Sequence, residues 1–352
     1  MTLFEQLRKY SAPAALAEKM PGNACRCLAC AHKCVIAAGG AGVCKVRFNE
    51  GGTLKAPWGY ISGSAPDPVE KKPFFHVLPG AVTLSFGMLG CNFKCAFCQN
   101  HRTSQVLRDP ACLAGSLEPV TPEELASAAR TAEAGLIVST YNEPLITAEW
   151  SAAVFREARK YGIRAAYVSN GYASAEVLDY IRPHVDLYKA DLKTFDDEKY
   201  RKTAGGKLGK VLKALEMIHA KGFWLEIVTL LIPGFNDGTA ELEALAGFIA
   251  GLSGDIPWHV TAFYPAYKMT DRDATSPATL VKAREIGLRK GLKYVYTGNI
   301  PGRGFEDTCC PACGRALVRR RGFKVLENAV RSSGRGTGAC PGCSADIAGV
   351  WS

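Results

Sequence analysis

The chain has 352 residues, 47% hydrophobic and 22% charged, which is long enough to bury a full-sized core and ordinary in composition for a globular protein. No apolar run approaches the roughly 20 residues of a membrane span, and the start, Met1-Thr-Leu-Phe-Glu-Gln, lacks a signal peptide's charged and apolar regions, so a cytoplasmic protein with no membrane attachment is expected. The formal charge of +10 permits an acidic partner protein or nucleic acid without requiring either, and fourteen cysteines in a reducing compartment argue for metal sites over disulfides.

A short helical pattern, Leu3, Leu7 and Tyr10, ends near Pro13. It is followed by Cys25-Arg-Cys27-Leu-Ala-Cys30-Ala-His32-Lys-Cys34, the glycines Gly39-Gly-Ala-Gly42, and Cys44. The C-x2-C-x3-C-x9-C spacing of Cys27, Cys30, Cys34 and Cys44 suits a compact, loop-rich metal knot. It divides evenly between structural zinc and a second iron–sulfur cluster, with His32 or Cys25 as substitute ligands and unligated buried cysteines as the plainer alternative. The proline-rich segment Asp67-Pro-Val-Glu-Lys-Lys-Pro-Phe-Phe-His76-Val-Leu-Pro-Gly80 reads as an extended connector whose charges belong to a solvated loop.

From residue 82 the pattern becomes regular. Strand-like runs at Val82–Phe86, Leu136–Thr140, Ala165–Ser169, Val185–Ala190, Leu225–Leu231 and His259–Phe263, with another at Tyr294–Thr297, alternate with helical segments. One of these, Pro122–Ala134, opens on a Thr121-x-x-Glu124 capping box. Alternation implies parallel strands joined by right-handed crossovers. Six units are too few for a closed barrel, so an open (βα)6 partial barrel is the α/β architecture expected, with a complete barrel or doubly wound sheet as runner-up.

The first strand runs into Cys91-Asn-Phe-Lys-Cys95-Ala-Phe97-Cys98. Its C-x3-C-x2-C loop can wrap three thiolates around one small inorganic object. A cubane cluster normally takes four cysteines, so one iron would keep an open position. A zinc site borrowing His76 or His101, or three structural cysteines, are the plainer alternatives. In parallel α/β folds chemistry collects where strands end, and polar clusters fall there: Asn142 and Glu143, fit to bind an ammonium group; Ser169 and Asn170, fit to reach a ribose; Asp191 and Lys193, on one side of an extended segment; Pro233-Gly234, where glycine allows close backbone approach; and His259 with Tyr264, fit to touch substrate. At the tail, Cys310-Pro-Ala-Cys313 and Cys340-Pro-Gly-Cys343 read as a zinc ribbon. Between them Arg315, Arg319, Arg320, Arg321, Lys324, Arg331 and Arg335 face a single acid, Glu327, as a docking surface for an acidic protein or a solvated face, with nucleic acid disfavoured.

The cysteine loop with Phe97 before its last cysteine resembles the signature of radical S-adenosylmethionine (SAM) enzymes. The resemblance implies that Cys91, Cys95 and Cys98 hold a [4Fe–4S] cluster whose open iron is chelated by the methionine amino and carboxylate groups, and that electron transfer cleaves the sulfonium to a 5′-deoxyadenosyl radical. It also implies that Glu143 holds the amino group and that the Pro233-Gly234 backbone meets adenine. The N-terminal Cys-x-x-Cys-x-His-x-Cys with Gly42-Val-Cys44, Asp67-Pro-Val-Glu-Lys-Lys-Pro, Gly90-Cys-Asn-Phe-x-Cys-x-Phe-Cys-Gln-Asn100, Thr140-Tyr-Asn-Glu-Pro and the terminal ribbon together resemble the AmmeMemoRadiSam system radical SAM enzyme, a group often labelled pyruvate formate-lyase activating enzyme-like. That resemblance implies Memo-like and AMMECR-type partners, an electron donor such as flavodoxin or ferredoxin, and three regions: a cysteine-rich region and connector (1–80), the partial barrel (81–305) and the ribbon (306–352). The competing expectations are a glycyl-radical enzyme activase and, in another class, a zinc-ribbon protein- or RNA-binding module.

Overall fold

The protein's computed structural model describes residues 3–112, 117–300, 305–332 and 337–352, so Arg335 of the basic tail lies outside the described residues. Its centre is one eight-stranded sheet. Seven strands are parallel and follow one another in chain order: Val82–Gly87, Leu136–Ser139, Arg164–Ser169, Leu187–Asp191, Trp224–Leu231, Trp258–Ala262 and Val295–Gly298. They are called the first to seventh strands below. Strictly sequential order is what a singly wound partial barrel requires, whereas a doubly wound sheet reverses order at its switch point. Beyond the six expected units, the seventh strand pairs with the sixth, and Gly63–Pro68 adds an antiparallel edge to the first.

The crossover helices form where the sequence supplies both a cap and an apolar stripe. Thr121 and Glu124 close the capping box on Pro122–Thr131, and Ser174 and Ser276 cap Ala175–Ile181 and Pro277–Arg289. Successive side chains of a strand point to opposite faces. Ile137, Ala165, Tyr167, Tyr188 and Ala190 therefore join the core under the helices, while Leu136, Val138, Ala166 and Leu187 face the other way.

That second face is filled by the connector: Val69, Phe74 and Val77 pack on it. The reading of this segment as a solvated loop is corrected here, because Asp67, Glu70 and Lys72 are all buried. Prolines 66 and 68 fit because Gly63–Pro68 is an edge strand, where no ladder bond is lost on the outer side. Asp67 accepts from Lys71 Nζ at 2.6 Å, Lys72 Nζ at 2.7 Å and the Tyr141 hydroxyl at 3.2 Å.

The ribbon is anchored to the same connector. Arg320, on the Ala316–Arg321 strand, donates to the carbonyls of Phe75 (2.7 Å) and Glu306 (3.1 Å), to Thr308 Oγ1 (2.9 Å) and to Glu70 (3.4 Å). It is fully buried and so leaves the expected basic surface patch, whereas Arg315, Arg319, Arg321, Lys324 and Arg331 are exposed. Among the described residues no helix is long and apolar enough to cross a membrane. Removing one partner of a buried ion pair leaves the other uncompensated. Arg320→Ala is accordingly expected to lower stability by about 3–5 kcal/mol in reversible urea unfolding, while exposed Arg319→Ala changes it by no more than about 0.5 kcal/mol.

Candidate active site

The cysteine loop leaves the first strand through Gly87 and Gly90, and both positions need glycine. A Cβ on Gly87 would lie 2.7 Å from the Thr140 carbonyl oxygen, and one on Gly90 (φ +86) would lie 2.7 Å from Val46 Cγ1. The loop is then tied down by its own backbone: Lys94 N–H donates to Ala204 O (2.8 Å), Ala96 N–H to Thr203 O (3.1 Å), and Lys268 N–H to Ala96 O (2.9 Å). Arg108 clamps the carbonyls of Phe93 (2.7 Å) and Cys91 (2.6 Å).

This anchoring turns Cys91, Cys95 and Cys98 into one cavity of about 110 Å³, shared with Asn142, Glu143, Ser169, Asn170, Asp191 and Lys193. Burial pushes all three thiols up, Cys95 to about 12, so at neutral pH they are not free nucleophiles. A metal that displaces their protons is the species they suit, with donors already in place. Phe93 N–H lies 3.4 Å from Cys91 Sγ, and Ser104 Oγ lies 3.2 Å from Cys98 Sγ. Neither histidine offered as a fourth ligand lines this cavity. His101 Nδ1 sits 3.1 Å from the Cys98 carbonyl and its ring stacks on Tyr267; His76 is held between Ala348 O and the Tyr296 hydroxyl, 2.6 Å from each.

Opposite the thiols stands Glu143, 1% exposed. Its carboxylate accepts from Leu145 N–H (3.1 Å), Ser169 Oγ (2.8 Å) and Asn170 N–H (2.8 Å), and among the described residues no cation lies within ion-pair distance. Burial outweighs those donors and raises its pKa from 4.5 to about 7. A ligand ammonium would supply the missing charge and use the remaining lone pair. Ser169, expected to reach a ribose, is thus spent on Glu143, and its oxygen also accepts from Tyr188 OH at 2.9 Å. Asn170 Nδ2 donates to Asn92 Oδ1 at 2.7 Å, bracing the cysteine loop. Asn142 Oδ1 accepts from Met88 N–H at 3.1 Å and ties the second strand's end to the first.

The cavity opens into a larger one of about 440 Å³ on the sheet face opposite the helices. Cys95, Phe97, Asp191 and Lys193 line it, as do residues that sequence reasoning passed over: Lys72, Tyr141, Lys189, Asn299 and Phe323. Asp191 is flanked by Lys189 and by Lys193 (3.0 Å), which hold its carboxyl well below the usual range against burial. The period-two rule that joined Asp191 to Lys193 also places Lys189 beside them, so that signal was present in the sequence. Nothing local marked Phe323, which arrives from the ribbon.

Other candidates stand apart. His259 lies beneath the cavity, its Nε2 2.7 Å from Glu226 Oε2 and its ring edge-on to Phe75, so the structure holds it as a satisfied core histidine. Pro233 and Gly234 do not line either cavity; the following Phe235 touches the Phe97 ring at 6.1 Å between centroids. Tyr264 donates to Asn299 O at 2.8 Å and is half exposed. The four ribbon cysteines converge, with Cys310 and Cys343 sulfurs 3.6 Å apart and those of Cys313 and Cys340 3.7 Å apart. A tetrahedron of sulfurs at about 2.3 Å from one ion has edges of about 3.8 Å, so this group could hold a metal ion.

The Radical SAM superfamily pattern matches residues 87–247, from the exit of the first strand to the helix after the fifth. An uncharacterized protein of Methanocaldococcus jannaschii is 36% identical over 310 residues, 88% of this chain and 91% of its own length. This chain belongs to the radical SAM superfamily. The isethionate sulfite-lyase activating enzyme of Oleidesulfovibrio alaskensis is 32% identical over 130 residues, and the match spans only 42% of that relative's length. The crystal structure of a radical SAM methyltransferase from Sphaerobacter thermophilus has the same fold, with a TM-score of 0.50 over 87% of this chain and 80% of that one at 15% identity. Like its relatives this radical SAM protein is an enzyme, of oxidoreductase or activase type, and membership implies a [4Fe–4S] cluster and SAM. With Glu143 titrating near 7, binding of SAM's ammonium is expected to strengthen from pH 6 to pH 8 as the carboxyl ionises, then level off. Glu143→Gln is expected to weaken binding by roughly 10- to 100-fold and abolish that pH dependence, as measured by anaerobic equilibrium dialysis with labelled SAM.

Proposed function

We propose that this enzyme binds a [4Fe–4S] cluster through Cys91, Cys95 and Cys98, takes up SAM with Glu143 at its ammonium, and abstracts hydrogen from a substrate held in the 440 Å³ cavity. The observation that supports this best is the shared cavity: three thiols and one buried carboxylate, with no described cation within ion-pair distance of it, line a single space where the larger cavity begins. When bound, the cluster supplies the electron that breaks a carbon–sulfur bond of SAM, giving methionine and the 5′-deoxyadenosyl radical.

The chain's own residues do the rest. Tyr141 lines both cavities and Phe97 the larger one, and the anchored backbone of residues 93–98 keeps the thiols from splaying. Lys71, Lys72, Lys189 and Lys193 outnumber Asp191 in the lining, a field that suits a substrate with an anionic group. Zinc in the ribbon is the reading its sulfur tetrahedron favours.

The glycyl-radical activase reading draws on the activating-enzyme relatives, whose named substrates are enzymes. Its acceptor would be a backbone glycine of a partner. The finer reading, the radical SAM enzyme of an AmmeMemoRadiSam system with Memo-like and AMMECR-type partners and a flavodoxin or ferredoxin as reductant, rests on the motif resemblance. The test is anaerobic: reconstitute with iron and sulfide, add dithionite and SAM, and quantify 5′-deoxyadenosine. The wild-type chain is expected to form it, and Cys95→Ala to reduce it at least about 100-fold, because loss of one of three ligands leaves the cluster unheld. An intact cluster that yields none would overturn the proposal.

A further inference from the structure

The chain carries two internal standards against which its third cysteine group can be judged. In the ribbon all four sulfurs lie within 4.8 Å of one another, the packing of ligands around a single ion. Cys91, Cys95 and Cys98 do not meet that spacing although they line one cavity. That is the pattern expected when each thiol serves a different iron of a cluster. Among the described residues Cys27, Cys30, Cys34 and Cys44 follow the second pattern, with no three of their sulfurs within 4.8 Å of each other.

They nevertheless converge. Cys27 N–H donates to Cys34 O at 2.9 Å, across the pairing of strands Cys25–Cys27 and Val35–Ile36. Lys33 (φ +44) and Lys45 (φ +68) take left-handed turns beside Cys34 and Cys44. A Cβ on Gly42 would stand 3.7 Å from Cys34 Sγ, so the loop that brings in Cys44 passes directly over Cys34. Cys27, Cys30 and Cys44 are buried. The substitute ligands are occupied: Cys25 Sγ donates to Gly52 O at 3.2 Å, and His32 Nε2 lies 3.1 Å from Asn92 O.

Among the described residues, two buried donors beside this group, Asn92 Nδ2 and Arg47 Nε, have no hydrogen-bond partner. Arg47 lies three residues beyond Cys44, and the Asn92 carbonyl is 3.1 Å from Nε2 of His32, two residues beyond Cys30. Buried donors without partners are costly unless a ligand state satisfies them, and sulfurs of a bound cluster would. Asn92 is also the residue after Cys91, and a Cβ on Gly90 would lie 2.9 Å from Cys44 O. The N-terminal group therefore backs directly onto the cysteine loop of the active site.

We propose that Cys27, Cys30, Cys34 and Cys44 bind a second iron–sulfur cluster, of the [4Fe–4S] type, beside the first, and that this site is not a zinc site. The proposal takes the Cys91 loop as the first cluster's site, as argued above. It is tested on the full chain, expressed with both metals available and reconstituted anaerobically with iron and sulfide, by assaying iron, sulfide and zinc and recording electron paramagnetic resonance after dithionite reduction. Wild type is expected to hold about eight irons and one zinc. The variant Cys91→Ala/Cys95→Ala/Cys98→Ala should keep about four irons and a cluster signal that SAM does not alter, and Cys30→Ser/Cys44→Ser should keep about four irons and a signal that SAM shifts. About four irons and two zincs in wild type, or no iron in the triple variant alongside about four in wild type, would overturn the second cluster while leaving the first intact. A retained cluster in the triple variant, with no SAM-responsive signal in Cys30→Ser/Cys44→Ser, would instead overturn the reading of the Cys91 loop and leave the second cluster standing. Should the triple variant not fold, the wild-type iron and zinc content decides by itself.

Discussion

A buried carboxylate with no described cation within ion-pair distance is the feature on which the rest of this site depends. Glu143 sits at the end of the second strand, held by two backbone amides and a serine, in surroundings that raise its pKa to about 7. A rise of that size from 4.5 corresponds to about 3 kcal/mol of destabilisation of the charged form relative to a carboxylate in water. The fold carries that cost at a position facing three thiols, where an incoming ammonium group relieves it. Ser169, Asn170 and Asn142 all act on the site by holding Glu143 or the cysteine loop in place, and none is left over to hold a ligand by itself.

The strain of that placement is spread outward. Tyr141, two residues before Glu143, adopts φ +68, a conformation unfavourable for a bulky side chain, and its hydroxyl is held by Asp67 while Lys72 lies over its ring at 4.7 Å. Asp67 and Lys72 belong to the connector, which is fixed from beneath by Glu70 and Arg320. Glu226 accepts from Phe75 N–H and His76 N–H at 3.0 Å each, pinning the connector to the sheet, and His259 completes that carboxylate's shell. The ribbon, through Arg320 and Phe323, is thus part of the active-site wall as well as a candidate metal module.

Much of this was legible in the sequence because it depends on local period. Alternating strands and helices give the order of the sheet, and the carboxyl ends of the strands collect Glu143, Asp191 and Lys193 by the same rule that buries Ile137 and Tyr188. The convergence of Cys310, Cys313, Cys340 and Cys343, and of Cys91, Cys95 and Cys98 on one cavity, was legible by spacing alone. What escaped were contacts between distant segments: Glu70 with Arg320, His76 with Tyr296, Phe75 with Glu226. A charged, proline-rich stretch reads as solvated until the partner that neutralises it is known, and a histidine on a strand reads as functional until its carboxylate neighbour appears. Ser169 and Asn170 were placed correctly at a strand end, but which group they would serve required the second strand's loop beside them.

The central claim is that SAM binds between the cysteine loop and Glu143 with its amino acid moiety on the cluster's open iron. Electron–nuclear double resonance on the reduced, reconstituted enzyme with SAM carrying ¹⁵N in its amino group tests it directly. The account predicts a resolved ¹⁵N hyperfine coupling: on binding, the ammonium sheds one proton to solvent, its nitrogen ligates the cluster, and its remaining N–H bonds donate to Glu143. A cluster signal that changes on SAM addition but shows no coupling to that nitrogen would contradict it.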